Sequence, residues 1–186
     1  MGLNDEVGRR LKLRRMERGL SLSELARRSG VGKGTLSELE SGLRNPTLET
    51  LYALTTALGS PLSVVLDDPP RGVAEQAGGV SGSAVTAALL ERFEDDGAAT
   101  DVFRVTIAAG AVQDSAAHVP HTTESLMILA GTAVVGLPDA PQTVGPGGHA
   151  HWRADVPHVY RALDGEVHGI LFVRYPRSGQ APADGP

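Results

Sequence analysis

The chain has 186 residues, a formal net charge of −5, six histidines and no cysteine. That length holds one sizeable core or two small ones, and the missing thiols exclude disulfides, zinc fingers, iron–sulfur clusters and cysteine nucleophiles while leaving the redox compartment open. Charge divides along the chain: residues 1–67 carry ten basic against eight acidic side chains, residues 68–186 seven against fourteen together with all six histidines, which argues for two domains with the basic one suited to duplex DNA.

No run approaches the roughly 18 apolar residues of a membrane span, and the start MGLNDEVGRRLK lacks an apolar signal region. The expectation is a cytoplasmic protein with no membrane partner. Val7, Leu11, Leu13 and Met16 predict a first helix with an uneven apolar face. Arg9, Arg10, Lys12, Arg14, Arg15 and Arg18 make it basic elsewhere, and Gly19 ends it.

Ser21 to Gly42 reads SLSELARRSGVGKGTLSELESG. Leu22, Leu25 and Ala26 recur at helical spacing, Gly30 takes a corner that tolerates positive φ, and Val31, Leu36 and Leu39 form a second apolar stripe. Ser21 and Glu24 have capping-box spacing, and Gly42 stands where the second helix should stop. Two short helices around a tight corner suit a helix-turn-helix whose second member enters the major groove; a helical hairpin in another all-α domain is the alternative.

With Leu36 and Leu39 inward, Lys33, Gly34, Ser37 and Glu38 fall on the free side. Lys33 can donate to guanine O6 or N7, Ser37 can donate or accept, and Glu38 either accepts from a cytosine amino group or orients Lys33. Gly32 and Gly34 weaken the helix start but clear space for DNA. Leu48, Leu51, Leu54 and Leu58 predict a fourth helix from about Leu48 to Ala57, capped by Thr47, and Leu62 to Leu66 offers a short fifth. Arg44 lies in the loop after the presumed recognition helix, within reach of a phosphate.

Residues Val7 to Leu66, about a third of the chain, resemble the helix-turn-helix domain of the xenobiotic-response-element family, which includes the phage repressors. The shared pattern is Arg15, LSELARRSGVGKGTLSELESG and RNPTLETLYALTTALG. The resemblance implies base-edge contacts at Lys33, Gly34, Ser37 and Glu38, backbone contacts at Ser21, Ser23 and Arg44, and an internal salt bridge between Arg15 and Glu40. With Thr35, those eight positions are the candidate DNA-binding set. Many family members carry a polar side chain where this chain has Gly34.

Asp67 to Ser83 is rich in Pro, Gly, Ala and Ser and reads as a linker. Beyond it, Phe103, Val105 and Ile107 alternate, as do Leu126, Ile128 and Ala130, and short runs at 132–137, 149–153 and 168–175 stand between turn residues. An antiparallel barrel or sandwich follows, with Phe93, Phe103, Trp152, Phe172 and Tyr175 as expected packing residues.

His118, His121, Glu124 and His158 are the candidate metal ligands, right in type for Zn, Fe, Mn or Ni. An exposed loop holding His118 and His121, with His158 satisfied by an ordinary hydrogen bond, is the alternative. His149 and His151 alternate with an inward Trp152 and are not nominated.

Residues 86 to 176 resemble a cupin through Gly110, His118, Glu124 and Gly131, then Pro146, Gly147, His158 and Tyr160. Pro120 stands where that family has a second histidine, Gly148 replaces a common aspartate, and a late asparagine is missing.

The two resemblances together imply an all-α, five-helix head followed by an all-β cupin (double-stranded β-helix) barrel, the architecture of bacterial transcription regulators with a ligand-sensing barrel. The expected division is 1–67 for the head, 68–84 for the linker, 85–177 for the barrel and 178–186 for a disordered tail. The expected function is a sequence-specific transcription regulator, not an enzyme, with a double-stranded operator, a small-molecule effector and a second copy of the chain as partners. No cofactor is certain, and a divalent metal ion in the barrel is the candidate. A metal-dependent cupin dioxygenase or isomerase fused to a DNA-binding head is the alternative.

Overall fold

A computed structural model describes residues 3–66 and 79–176. The expected tail at 178–186 and residues 68–78 of the expected linker lie outside them. No helix among the described residues is long and apolar enough to cross a membrane.

The first part is helical: α1 (Leu3–Glu17), α2 (Leu22–Ser29), α3 (Lys33–Glu40) and α4 (Leu48–Ala57), then a 3-10 turn at Leu62–Val65. The fifth helix is therefore a single turn, started by Pro61 and built from a segment rich in β-branched valine. Ser21 caps α2, its hydroxyl accepting from the Glu24 amide at 3.1 Å, and Thr47 caps α4 by accepting from Thr50. Gly30, at φ 71°, makes the left-handed corner between α2 and α3. Leu11, Leu25, Leu36, Leu51, Leu54 and Leu62 are fully enclosed. Leu13 and Met16 are not: at 48% and 61% exposure they lie beyond the core.

Arg15 reaches from α1 to α3, its guanidinium donating to both Glu40 oxygens at 2.7 and 2.8 Å and to the Leu20 carbonyl at 2.8 Å. The guanidinium therefore ties α1, α3 and the loop before α2 together. The hydrogen bonds to Glu40 raise the Arg15 pKa against the opposing effect of burial.

The second part has ten strands: β1 (Val80–Ser81), β2 (Val85–Glu94), β3 (Ala98–Ile107), β4 (Val112–Ser115), β5 (Thr123–Ala130), β6 (Ala133–Leu137), β7 (Ala140–Val144), β8 (His149–Arg153), β9 (His158–Ala162) and β10 (Val167–Pro176). β1 falls inside the span expected to be linker. All pairings are antiparallel, in a six-stranded sheet ordered β1-β2-β3-β10-β5-β8 and a four-stranded sheet ordered β4-β9-β6-β7.

The expected closed cupin barrel is thus corrected to two open sheets packed face to face. No backbone ladder joins them among the described residues. Where β7 meets β8, the Gln142 side chain donates to the His151 carbonyl at 3.1 Å, a side-chain bond in place of a backbone ladder. Phe103, Ile107, Leu126, Ile128, Val135, Trp152 and Val173 fill the space between the sheets. Phe93 and Phe172, expected inside, are 47% and 37% exposed.

The helical head touches the sheets through α4 and the 3-10 turn. Glu49 accepts from the Ser83 amide at 2.6 Å, Asp101 of β3 accepts from the Ser63 amide at 3.1 Å, and Arg92 of β2 donates to the Ser63 hydroxyl. Burial pushes the Asp101 carboxyl above its ordinary value in spite of the bonds from Ser63.

An acid with a raised folded-state pKa costs stability as pH climbs from the unfolded value through the folded one, because the native state then holds the extra proton. Asp101→Asn keeps the acceptor for Ser63 and removes the buried charge. The variant is expected to melt about 2–4 °C higher than the parent at pH 8, a gain of about 1 kcal/mol, and to match it near pH 3. Parallel thermal melts at both pH values check this; an equal difference at both would show that the charge is not the cause.

Candidate functional site

Two sites emerge, one on the head and one between the sheets. On the head, α3 begins at Lys33 behind Gly32, whose backbone caps without a side-chain bond. Lys33, Gly34, Ser37 and Glu38 are exposed along one face of α3, while Thr35 is half-buried beside Leu36. Ser21 and Ser23 are exposed at the start of α2, although the Ser21 hydroxyl already serves the helix cap. Arg44 is exposed and donates to Glu38 at 3.1 Å, so the Glu38 carboxylate faces Arg44 in the free protein. Both members of this pair are about half exposed, so the attachment is weak and easily exchanged for a phosphate or a base.

Between the sheets, three of the four nominated ligands meet. His118 hangs on the β4–β5 loop, Glu124 lies on β5 of one sheet and His158 on β9 of the other. One ligand atom from each lies within 4.8 Å of the others, and all three residues are buried. The loop is fixed by backbone bonds, with the His118 amide donating to Ala154 at 2.8 Å and the Ala154 amide to Thr122 at 2.9 Å.

His121 is elsewhere. It is exposed, at φ 64°, and its amide donates to Asp155 at 2.8 Å. His121 is the one nominated ligand outside the cluster. His149 and His151 point to solvent from β8.

The donor set fits a divalent cation. His158 Nδ1 lies 2.9 Å from the Val156 carbonyl, which can only accept, so the ring proton sits on Nδ1. The Nε2 lone pair then faces Glu124 Oε2 at 3.4 Å without a hydrogen-bond partner. A backbone acceptor on the far ring nitrogen is how metal-ligating histidines are oriented. His118 Nε2 lies 3.0 Å from Glu124 Oε1, and the Tyr160 hydroxyl of β9 donates to Glu124 Oε2. Burial pushes the Glu124 carboxyl up, but the adjoining His158 and His118 rings and the Tyr160 hydroxyl together outweigh it and hold the carboxyl below its ordinary range.

Three aromatic rings frame the cluster. Trp152 and Tyr160 pack edge to face with centroids 5.7 Å apart. Tyr52 arrives from the other domain: its ring stacks on His118 with centroids 4.1 Å apart and planes 17° from parallel. Sequence reasoning missed Tyr52, whose only signal is an aromatic residue within the leucine repeat of α4. The expectation that the chain is not an enzyme is overturned by the cluster itself, because a buried pair of histidines with one carboxylate is the ligand set of metal-dependent enzymes.

Comparison with known proteins bears on the head and on the whole chain. A helix-turn-helix family, HTH_3, matches residues 11–65. The HTH-type transcriptional regulator SutR of Escherichia coli K12 is 31% identical over 169 residues, spanning 90% of this chain and 94% of that protein. The transcriptional regulator ClgR of Mycobacterium tuberculosis is 42% identical over 74 residues, 40% of this chain and 66% of its own length. The crystal structure of an HTH_3 family transcriptional regulator from Vibrio cholerae has a TM-score of 0.81 at 25% identity, covering 94% of this chain and 98% of that one. With near full-length similarity added to an exposed recognition helix and the Arg15–Glu40 tie, the chain belongs to the xenobiotic-response-element, or phage-repressor, type of helix-turn-helix proteins and is a DNA-binding transcriptional regulator.

Proposed function

We propose that the chain is an operator-specific regulator acting as a homodimer in the cytoplasm, and that the β domain is its sensor, taking up a divalent metal ion, alone or with a small-molecule effector, at His118, Glu124 and His158. The carrying observation is the convergence of three buried ligand atoms within 4.8 Å in a protein whose head reads DNA. When bound, the ion supplies a Lewis-acidic centre with open positions for an effector. Division into a head at 1–67 and a sensor at 85–177 belongs to the same proposal.

The reading places Lys33, Gly34, Ser37 and Glu38 toward base edges and Ser21, Ser23 and Arg44 toward phosphates, with Thr35 beside them in the DNA-binding set. Pairing two heads on a palindrome doubles a small contact area. An outward face of the larger sheet bearing Met127, Leu129 and Phe172 supports self-association. An effector can act only through its difference in affinity for two arrangements of the dimer.

Selection of genomic fragments by the purified full chain, with chelator or with Zn(II), tests the reading. One palindromic site whose affinity shifts with Zn(II) is the expected result; enrichment no better than random duplex overturns it. Lys33→Ala is expected to weaken the selected site by about tenfold or more and random DNA far less, whereas Arg44→Ala weakens both alike. The reverse ranking in competition assays rejects these assignments.

A second reading, a metal-dependent enzyme carried by a DNA-binding head, is favoured by the donor set, since three protein ligands leave coordination positions free. It requires oxygen uptake or substrate turnover by the Fe(II)-loaded protein that Glu124→Ala abolishes.

A further inference from the structure

We infer that the His118–Glu124–His158 centre is shared between the two domains, with Tyr52 of α4 as its fourth wall, so that a divalent cation bound there clamps the DNA-binding head onto the sheets. The inference rests on the metal reading above and adds how occupancy reaches the head.

Three observations carry it. First, Tyr52 is stacked flat on a nominated ligand, 4.1 Å between centroids, and no other residue of the head makes a ring contact with the cluster among those described. Second, the ring it covers is held from the sheet side, by the His118 backbone bond to Ala154 and by Glu124 at 3.0 Å, so His118 cannot follow Tyr52 if the head moves away. Third, Tyr52 is rooted in the head: its neighbours Leu51 and Leu54 are fully buried there, and α4 packs against α2.

A cation on Nε2 draws electron density from the His118 ring, and an electron-poor ring stacks more strongly on a phenol face. Loading the centre therefore tightens the Tyr52 contact. One turn earlier on α4, Glu49 holds the Ser83 amide, and the Ser63 amide after α4 is held by Asp101, so the same docking is read at two separate amides. By linkage, whatever the cation does for head docking, docking does equally for cation affinity.

The experiment titrates the metal-free full chain with Co(II), followed by visible absorption, and measures hydrogen exchange at the Ser63 and Ser83 amides. Wild type and Tyr52→Phe, which keeps the ring, are expected to bind Co(II) and to slow exchange at both amides by about tenfold. Tyr52→Leu, which fills the space without a π face, is expected to bind Co(II) about tenfold more weakly and to slow those amides by less than about twofold at saturation. Equal slowing in Tyr52→Leu and wild type overturns the inference alone, as does Co(II) binding to wild type with no slowing. No Co(II) uptake by wild type overturns the metal reading and this inference with it.

Discussion

Glu40→Ala is expected to cost the head about 3 kcal/mol, most of the stability of a bundle this small. The pair it breaks is well enclosed, with 12% of the Arg15 side chain and 6% of the Glu40 side chain exposed. Alanine leaves the guanidinium with the Leu20 carbonyl alone, a positive charge held between helices without its carboxylate. Removing one partner is the expensive change; replacing both by apolar residues of similar size is far cheaper. The helical signal in a thermal melt should therefore drop by more than about 10 °C in Glu40→Ala and recover most of that in Arg15→Met with Glu40→Leu. If the double variant melts as low as the single one, the bridge is not the source of the loss.

Gly8→Ala is expected to be nearly as damaging, at about 2–3 kcal/mol. In an isolated helix the change would help by about 1 kcal/mol, since glycine is the poorer helix former. Here α1 crosses the end of α3 so closely that a methyl group on Gly8 would overlap the Leu39 carbonyl oxygen. That oxygen belongs to a backbone already fixed by the buried Leu36 and Leu39, so the helices must separate. Gly34→Ala is the control: nothing lies within 4 Å of the added methyl, and the head should gain about 1 kcal/mol. Circular dichroism melts of the two variants should move in opposite directions; a stabilised Gly8→Ala would mean that the crossing relaxes at little cost.

The head was legible because its signals are local. Caps at Ser21 and Thr47, the corner glycine and the leucine spacing of α4 each act within one or two turns, and all are where the residues put them. Leu13 and Met16 misled because spacing on α1 continues past the point where the bundle ends. In the sheets, alternation located strands but not their partners.

Phe93 shows the difficulty in one residue. It shares parity with the buried Leu89, but the register shift between Leu89 and Glu91 turns the end of β2 over and sends Phe93 outward. The closed barrel failed for the same reason, since edge pairing is decided by register and not by hydrophobic period. His118, Glu124 and His158 were named by residue type and family spacing, yet nothing in sequence separates them from His121, which differs by a left-handed backbone and a loop bond. Tyr52 was hidden more deeply, because its partner belongs to another domain.

The place of β10 governs the order in which this protein can be assembled. Although it is the last described strand, it lies between β3 and β5 near the middle of the larger sheet, paired along its length with both. A ribosome that has released the helical head has released a unit whose contacts are local and which folds as it emerges, while the larger sheet stays divided until β10 arrives. During that interval α4 is formed but the centre it covers is not. A nascent chain therefore carries a folded helix-turn-helix head before it carries the His118–Glu124–His158 centre, and any truncation ahead of Val167 leaves the larger sheet without the strand that joins β3 to β5.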